Sequence, residues 1–553
     1  MQRLTKPQKL IYDTEKFAGG SIAVVCGSIL IKGQKDISAL TNAVNEIFRL
    51  NDALRIRILE KDGVPYQTVS EYTEQKINVL RFKDKAELDL YAEKYAKEPI
   101  DFYGSLCDAN IVVIENGYGL LVKLHHIISD AWTLSLIGTQ FNRILNGETP
   151  EYKSYIDYIK SEDEYLNSKR YEKDKAYYID QFKKCDEVTY ISDKQAHSYA
   201  AERKTFIVDA DKTARIVEYT KSHNTSVYML LMTVLGVYVN RIKMNQEKFY
   251  IGTAVLNRKG KTEQNTMGMF INTVPLLVEL ENEKTFSENL TSVSDSLFSA
   301  LRHQKFNYGD VLSALRSEFR FEGNLYDIML SYQNAKIAGE NFESTWYHSG
   351  MQTESLQIHI DDRDSEGILK IHYDYLIDKF SDSEINRMHE HIFNLLEDAI
   401  SEDKKIPDLN ILSQSETETL LYAFNDTKTE YPKDKCVHQL FEEQVLKSPD
   451  KTAVIACDKT LTYDELNKLS NRIANSLIEK GVKPNDIVVF ALPRNSYLIP
   501  VMFGILKSGA AYMPIDPDYP KDRIDYMLFD SNAKFYITES NLNEFIADNE
   551  ENP

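Results

Sequence analysis

Two adjacent histidines followed four residues on by an aspartate, His125-His126-Ile127-Ile128-Ser129-Asp130, are the side chains here best suited to handling a proton. An imidazole titrates near neutrality, so it can accept, hold or return a proton under physiological conditions. A carboxylate close by can orient such a ring or brace its loop. A metal site is a poorer reading, because neighbouring residues at a strand end point apart and no third ligand is evident.

The flanking residues say how this stretch is held. Asn110 to Ile114 and Tyr118 to Leu124 are apolar-rich runs joined by Glu115-Asn116-Gly117, and Asn-Gly suits a tight hairpin turn. Downstream, Leu134, Ile137, Phe141, Ile144 and Leu145 recur at helical spacing, and Asn146-Gly147 supplies a stop. The histidines therefore sit at a strand end, on a tight loop entering a helix. Loops held by two rigid elements commonly carry chemistry.

Composition narrows the class. A chain of 553 residues exceeds one core, and 42% hydrophobic with 27% charged residues is ordinary for a soluble globular protein. A net charge of -20 argues against a nucleic-acid partner, which needs clustered Lys and Arg. Five scattered cysteines without a CxxC pair read as reduced thiols of a cytoplasmic protein. No signal region opens the chain, and the longest apolar run, Val227 to Val239, is too short to span a bilayer. With Thr225-Ser226 as caps it reads as a buried helix.

Strands and helices alternate along the chain in a mixed α/β pattern. Ile37 to Leu50 reads as an amphipathic helix and Ala53 to Ile58 as a half-buried strand. Lys153 to Phe182 reads as a long exposed helical connection. A second series begins at Thr205 to Val208 and includes strands at Phe249 to Gly252 and Leu325 to Tyr332. Ser355 to Ile360 and Ile368 to Tyr375 pair across the turn-rich Asp361 to Gly367, and Ser381 to Glu384 is a capping box. After a polar linker, strands near 452, 487, 512 and 535 alternate with helices, as in a parallel wound unit.

Residues 1 to about 410 resemble the condensation domain of nonribosomal peptide synthetases. His125 to Ala131 reproduces the HHxxxDG signature except for its last position. Other motifs follow the family order: Leu4 to Lys9, Asn51 to Arg55, Tyr155 to Tyr158, Gly268 to Thr273 (GxFxNT), and His303-Gln304 with Phe306 and Tyr308. From about 435 the chain resembles the start of an adenylation domain, through Leu461 to Leu466 and Leu506 to Pro514. That family's phosphate loop would come later than Pro553, so this part is expected not to activate an amino acid.

The resemblance implies two chloramphenicol acetyltransferase-like lobes in a V-shaped pseudo-dimer with a tunnel between them. The expected boundaries are 1–172 and 173–412 for the lobes, 413–434 for a linker and 435–553 for an incomplete wound α/β adenylation part. It implies amide formation by attack of an acceptor amine on a donor acyl thioester. Donor and acceptor peptidyl carrier proteins would present both on phosphopantetheine arms, with the remainder of a synthetase as partner and no bound metal. It assigns the chemistry to His126 and gives His125 the bracing of the loop. Asp130 is expected to pair with Arg55, and Asn272 to belong to a segment latching the lobes. Gly268, Trp132 and Thr133, where serine is usual, would line the tunnel or latch. Ala131 is the departure, since glycine there permits a positive φ or leaves room for the arm.

Four other readings stand beside these, two structural and two functional. Gly19-Gly20-Ser21 is a turn and not a carrier attachment serine, and Trp132 and Trp346 are packing residues. An epimerization domain also keeps HHxxxD, but the adenylation-like part that follows favours condensation. A degenerate carrier-docking scaffold has Ala131 as its one support. No upstream carrier domain is evident, so the donor is expected in trans, either peptidyl or fatty acyl.

Overall fold

The expected hairpin forms, but its two turn residues are Glu115 and Asn116, with Gly117 already in the strand opposite Ile114 and none of the three at positive φ. The strand leaving it delivers the two histidines to a loop. The computed structural model describes residues 1–335, 337, 342–363 and 367–547. It divides into two units, Met1–Ala423 and Phe424–Pro553.

The first lobe of the larger unit contains β1 (Gln2–Arg3), α1 (Lys6–Ala18), β2 (Val24–Lys32), α2 (Ile37–Leu50), β3 (Ile56–Lys61), β4 (Val64–Val69), β5 (Val79–Arg81), α3 (Lys85–Ala96), β6 (Cys107–Ile114), β7 (Gly117–His125) and α4 (Ala131–Leu145). Ala53 to Arg55 are not strand. They form a 3-10 turn, Asp52–Arg55, that ends α2 before β3 begins. Lys153 to Phe182 is not one exposed helix but two, α5 (Tyr155–Leu166) and α6 (Lys169–Phe182), split at Asn167 and Ser168. Tyr155, Tyr158, Ile159, Tyr165, Tyr178 and Phe182 are buried, so the tyrosines that read as surface line an inner face. The boundary expected at 172/173 falls inside α6.

The second lobe follows as β8 (Ala201–Ile207), α7 (Ala210–Ser222), α8 (Val227–Ile242), β9 (Lys248–Val255), α9 (Gly260–Gln264), β10 (Asn272–Glu279), α10 (Phe286–Arg302), α11 (Tyr308–Phe319), β11 (Ile328–Gln333), β12 (Phe342–Tyr347), β13 (Leu356–Asp361), β14 (Lys370–Leu376) and α12 (Asp382–Ser401). Residues 364–366 of the expected turn after β13 lie outside the described residues. Its sheet has the order β10-β9-β11-β13-β14-β8. The apolar helix α8, opened by Ser226 accepting from the Met229 amide, is the core helix of this lobe. No single helix among the described residues is long and apolar enough to cross a membrane.

Two segments of the second lobe reach the first. β12 joins the first lobe's sheet, order β12-β2-β7-β6-β5, pairing antiparallel with β2 from Phe342↔Ile31 to Tyr347↔Cys26. The Tyr347 hydroxyl lies 2.8 Å from Ser28 Oγ and 2.5 Å from the Asp89 carboxylate. From β8, Arg203 donates to the Trp346 carbonyl at 3.1 Å while gripping Asp374 at 2.6 and 2.7 Å. A cavity of about 1800 Å³ opens beside this seam, lined among others by Lys85, Asp89, Arg203, Trp346 and His372. The other crossing is residues 256–271, between β9 and β10.

In the smaller unit the strand Ile487–Ala491 lies between Ala511–Pro514 and Phe535–Thr538, parallel to both, as a wound unit requires. Thr452–Ile455 instead pairs antiparallel with Thr460–Thr462. Residues 548–553 of the part read as an adenylation fragment lie outside the described residues.

Two half-buried histidines of the second lobe make its stability pH-dependent. Burial lowers His348 and His389 to about 4, with Lys212 adding to the effect at His389 and Asp374 opposing it at His348. Such a group is neutral when folded and takes a proton more readily when unfolded. Its contribution is full above about pH 6.5, is lost as pH falls toward 4, and changes no further below that. His389 stacks on Phe206 at 3.8 Å, so His389→Phe keeps the packing. Urea unfolding of His389→Phe at pH 7 and pH 4.5 is expected to show an acid-side loss smaller than wild type by about 2 kcal/mol.

Candidate active site

His125 ends β7, and His126–Ile128 form one 3-10 turn before α4. The turn is closed by its own backbone and by the first histidine. His125 Nδ1 accepts from the Ile127 amide at 3.1 Å, and the Ser129 hydroxyl donates to the His125 carbonyl at 3.1 Å. The His126 amide donates to Ala23 of the adjoining segment at 2.7 Å, and the Ser129 amide to the His126 carbonyl at 3.3 Å. The amides of His126, Ile127 and Ser129 are thus all engaged within the loop and its support. His125 is 2% exposed and packs against Phe102, while the His126 ring is half-buried. Desolvation lowers the His126 pKa, and the carbonyls of His126 and Ser129 and the Asp130 charge only partly offset it. That shift favours the uncharged ring, which keeps a lone pair for a proton.

Asp130 is the residue that fixes the loop to everything else. It caps α4, accepting the Thr133 amide at 2.8 Å and the Thr133 hydroxyl at 2.9 Å. Its other donors come from the second lobe: Arg258 Nη2 at 2.8 and 3.0 Å, and the Phe270 amide at 3.3 Å. Both charged side chains are fully buried. Arg258 in turn donates to the carbonyls of Glu263, Thr266 and Gly268 and lies over the Phe270 ring at 3.9 Å.

The expected Asp130–Arg55 pair is therefore corrected. Arg55 ends the 3-10 turn after α2, where it donates to the carbonyls of Phe48 at 3.0 Å and Ser70 at 2.6 Å. The physical reason is local: the last carbonyls of a helix have no partner within it and attract a nearby cation. Sequence reasoning missed Arg258. Its one signal is position, in the turn-rich Leu256 to Gly260 that leaves β9, ten residues before Gly268.

The remaining site residues gather on the crossing segment. Gly268 has φ +145, and a Cβ there would sit 2.2 Å from the Tyr155 ring, so only glycine fits. Its amide donates to the Thr133 hydroxyl at 3.1 Å. The Tyr155 hydroxyl donates to the Met269 carbonyl at 2.8 Å, and Trp132 Nε1 to the Gln264 carbonyl at 2.8 Å. Trp132 is thus a strut between α4 and the crossing. Asn272, at the segment's return into β10, bonds within its own lobe, donating to the carbonyls of Gln304 and Phe306. Ala131 is the first residue of α4 and is absent from the positive-φ residues, so its methyl group costs no backbone strain. Among the described residues no group of three or more His, Cys, Asp or Glu is placed to hold a metal ion.

Gly268→Ala is expected to destabilise the larger unit by about 3 kcal/mol or more, since clash and a forced positive φ add. Ala131→Gly, which restores the usual signature residue, is expected to lose at most about 1 kcal/mol. Chemical denaturation followed by intrinsic fluorescence separates the two.

Comparison with known proteins matches this geometry to a family. The condensation-domain model matches residues 1–421, and the AMP-binding-enzyme model matches residues 441–552. Surfactin synthase subunit 1 of Bacillus subtilis (strain 168) is 32% identical over 98% of the chain and 16% of its own length. Bacitracin synthase 3 of Bacillus licheniformis is 31% identical over 98% of the chain and 9% of its own length. The chain thus spans a small part of these relatives. In fold, a four-domain nonribosomal peptide synthetase bound to AMP and glycine superposes with a TM-score of 0.76 at 18% identity, over 99% of this chain and 44% of that one. The first condensation domain of the calcium-dependent antibiotic synthetase superposes with a TM-score of 0.67 at 16% identity, over 74% and 99%. The half-buried imidazole, its carboxylate-anchored loop and the crossing segment therefore belong to a member of the nonribosomal peptide synthetase condensation-domain family, followed by part of an AMP-binding domain.

Proposed function

We propose that residues 1–421 form an amide bond between two carrier-bound substrates. The acceptor amine attacks the carbonyl carbon of the donor thioester, the C–N bond forms, and the C–S bond breaks to release the donor arm as a thiol. The amine proton passes to the His126 imidazole and from there to the departing sulfur. The observation that carries this reading is the His126 ring: half-buried, neutral through desolvation, and mounted on a loop anchored at Asp130.

A thioester is already reactive, so alignment of amine and carbonyl supplies much of the rate. His126 adds proton transfer. With the amides of His126, Ile127 and Ser129 engaged, the developing oxyanion is assigned to the imidazole and not to those amides. The substrates arrive on phosphopantetheine arms of donor and acceptor carrier proteins, with the rest of a synthetase as the working partner, and we place the reaction in the cytoplasm. The donor class, peptidyl or fatty acyl, is left to experiment.

Against the scaffold alternative, the helical backbone of Ala131 carries no strain of the kind a lost glycine would bring, and turnover decides between the two readings. The AMP-binding segment after the condensation domain keeps the order against epimerization.

His126→Ala is expected to lower amide formation from loaded carriers by about 10²- to 10⁴-fold, read by mass spectrometry, with the fold retained. His126→Ala with wild-type turnover would remove His126 from the mechanism. Exchange of a carrier-bound α-hydrogen without amide formation would favour epimerization.

A further inference from the structure

The loop carrying His126 is backed by one face of α1. That helix is rigid at its start: Thr5 and Gln8 form a capping box, and Pro7 lies in the first turn. Gln8, fully buried, donates from Nε2 to the Ile127 carbonyl at 3.0 Å. Seven residues on, two turns along the same face, stands Glu15. Its side chain is 13% exposed and its carboxylate lies 3.6 Å from His125 Nε2. Among the described residues no lysine, arginine or second histidine lies within 4 Å of it.

The His125 tautomer follows from its other side. Nδ1 accepts from the Ile127 amide, so that nitrogen carries no hydrogen, and the ring's proton is on Nε2. Nε2 is buried and has no hydrogen-bond partner. Such a group calls for an explanation, and the facing carboxylate supplies one. At 3.6 Å the contact is longer than a hydrogen bond, but it holds an N–H electrostatically. The opposite tautomer would set two N–H groups against each other at Ile127 and a lone pair against the Glu15 carboxylate.

We propose that Glu15 is a positioning residue for the catalytic loop: it holds the His125 proton on Nε2, so that Nδ1 closes the turn that aims His126. Glu15 touches no substrate and acts only through His125. The kinetic consequence rests on the proposed role of His126; the tautomer does not.

The test uses the full chain labelled with ¹⁵N-histidine, with His125 assigned by its loss in His125→Gln. Long-range ¹H–¹⁵N spectra at pH 8 are expected to show His125 protonated on Nε2. Glu15→Ala, or Glu15→Met where the cavity impairs folding, is expected to shift His125 toward a mixture of tautomers. It should also lower kcat by up to roughly 10²-fold with KM for both carriers unchanged. Glu15→Gln, which keeps an acceptor oxygen, is expected to restore the tautomer and most of kcat. A His125 pattern unaltered by Glu15→Ala and Glu15→Met overturns the proposal, whatever happens to kcat. A wild-type chain that forms no amide, but whose His125 tautomer responds to Glu15, would remove the proposed reaction and leave this assignment standing.

Discussion

The ion pair between Asp130 and Arg258, both fully buried, is the constraint on which the site depends. Two charges taken from water need hydrogen bonds at their remaining polar atoms, and here every one but the Arg258 Nε is met. Asp130 accepts from the helix it caps, from Arg258 and from the Phe270 amide. One carboxylate thus starts α4, ends the histidine loop and receives the crossing segment of the other lobe. Such a pair adds little to net stability compared with a well-packed apolar replacement. It does make the geometry of three elements interdependent, because removal of either partner strands a buried charge.

The crossing segment is built to meet it. Gly268 lets the backbone approach the Tyr155 ring where no side chain fits, and Tyr155 answers by bonding the Met269 carbonyl. Phe270 packs against Tyr155 and Tyr158 while lying under the Arg258 guanidinium. Farther along the fold, β12 joins the second lobe to the sheet whose β7 ends in His125. The second lobe thus meets the histidine loop directly through the Asp130 ion pair and its sheet one strand away, where β12 pairs with β2.

Much of this was legible in the sequence, for physical reasons. The apolar α8 with its serine cap and the Ser381 capping box carry local signals that tertiary contacts do not override, and the hairpin before the histidines forms with its turn one residue earlier than Asn-Gly would place it. What the sequence hid was long-range. Nothing local tells which arginine faces Asp130: Arg55 matches a motif, but it lies beside helix carbonyls that claim it. Ala53 alternates with apolar and basic neighbours as a strand would, yet the end of α2 forces a 3-10 turn first. β12 carries too little apolar periodicity to stand out, and its identity as a strand comes from pairing with β2 across more than 300 residues of chain. At Ala131 the backbone angle was what the sequence hid: as the first residue of a helix it carries no strain.

The central claim is that Asp130 couples to Arg258 and not to Arg55. Double-mutant cycles with Asp130→Asn, Arg258→Met and Arg55→Met, read by denaturant unfolding of the full chain, measure it directly. The predicted coupling is about 3 kcal/mol or more for Asp130 with Arg258, and within about 0.5 kcal/mol of zero for Asp130 with Arg55. A large coupling to Arg55 with none to Arg258 would contradict the account.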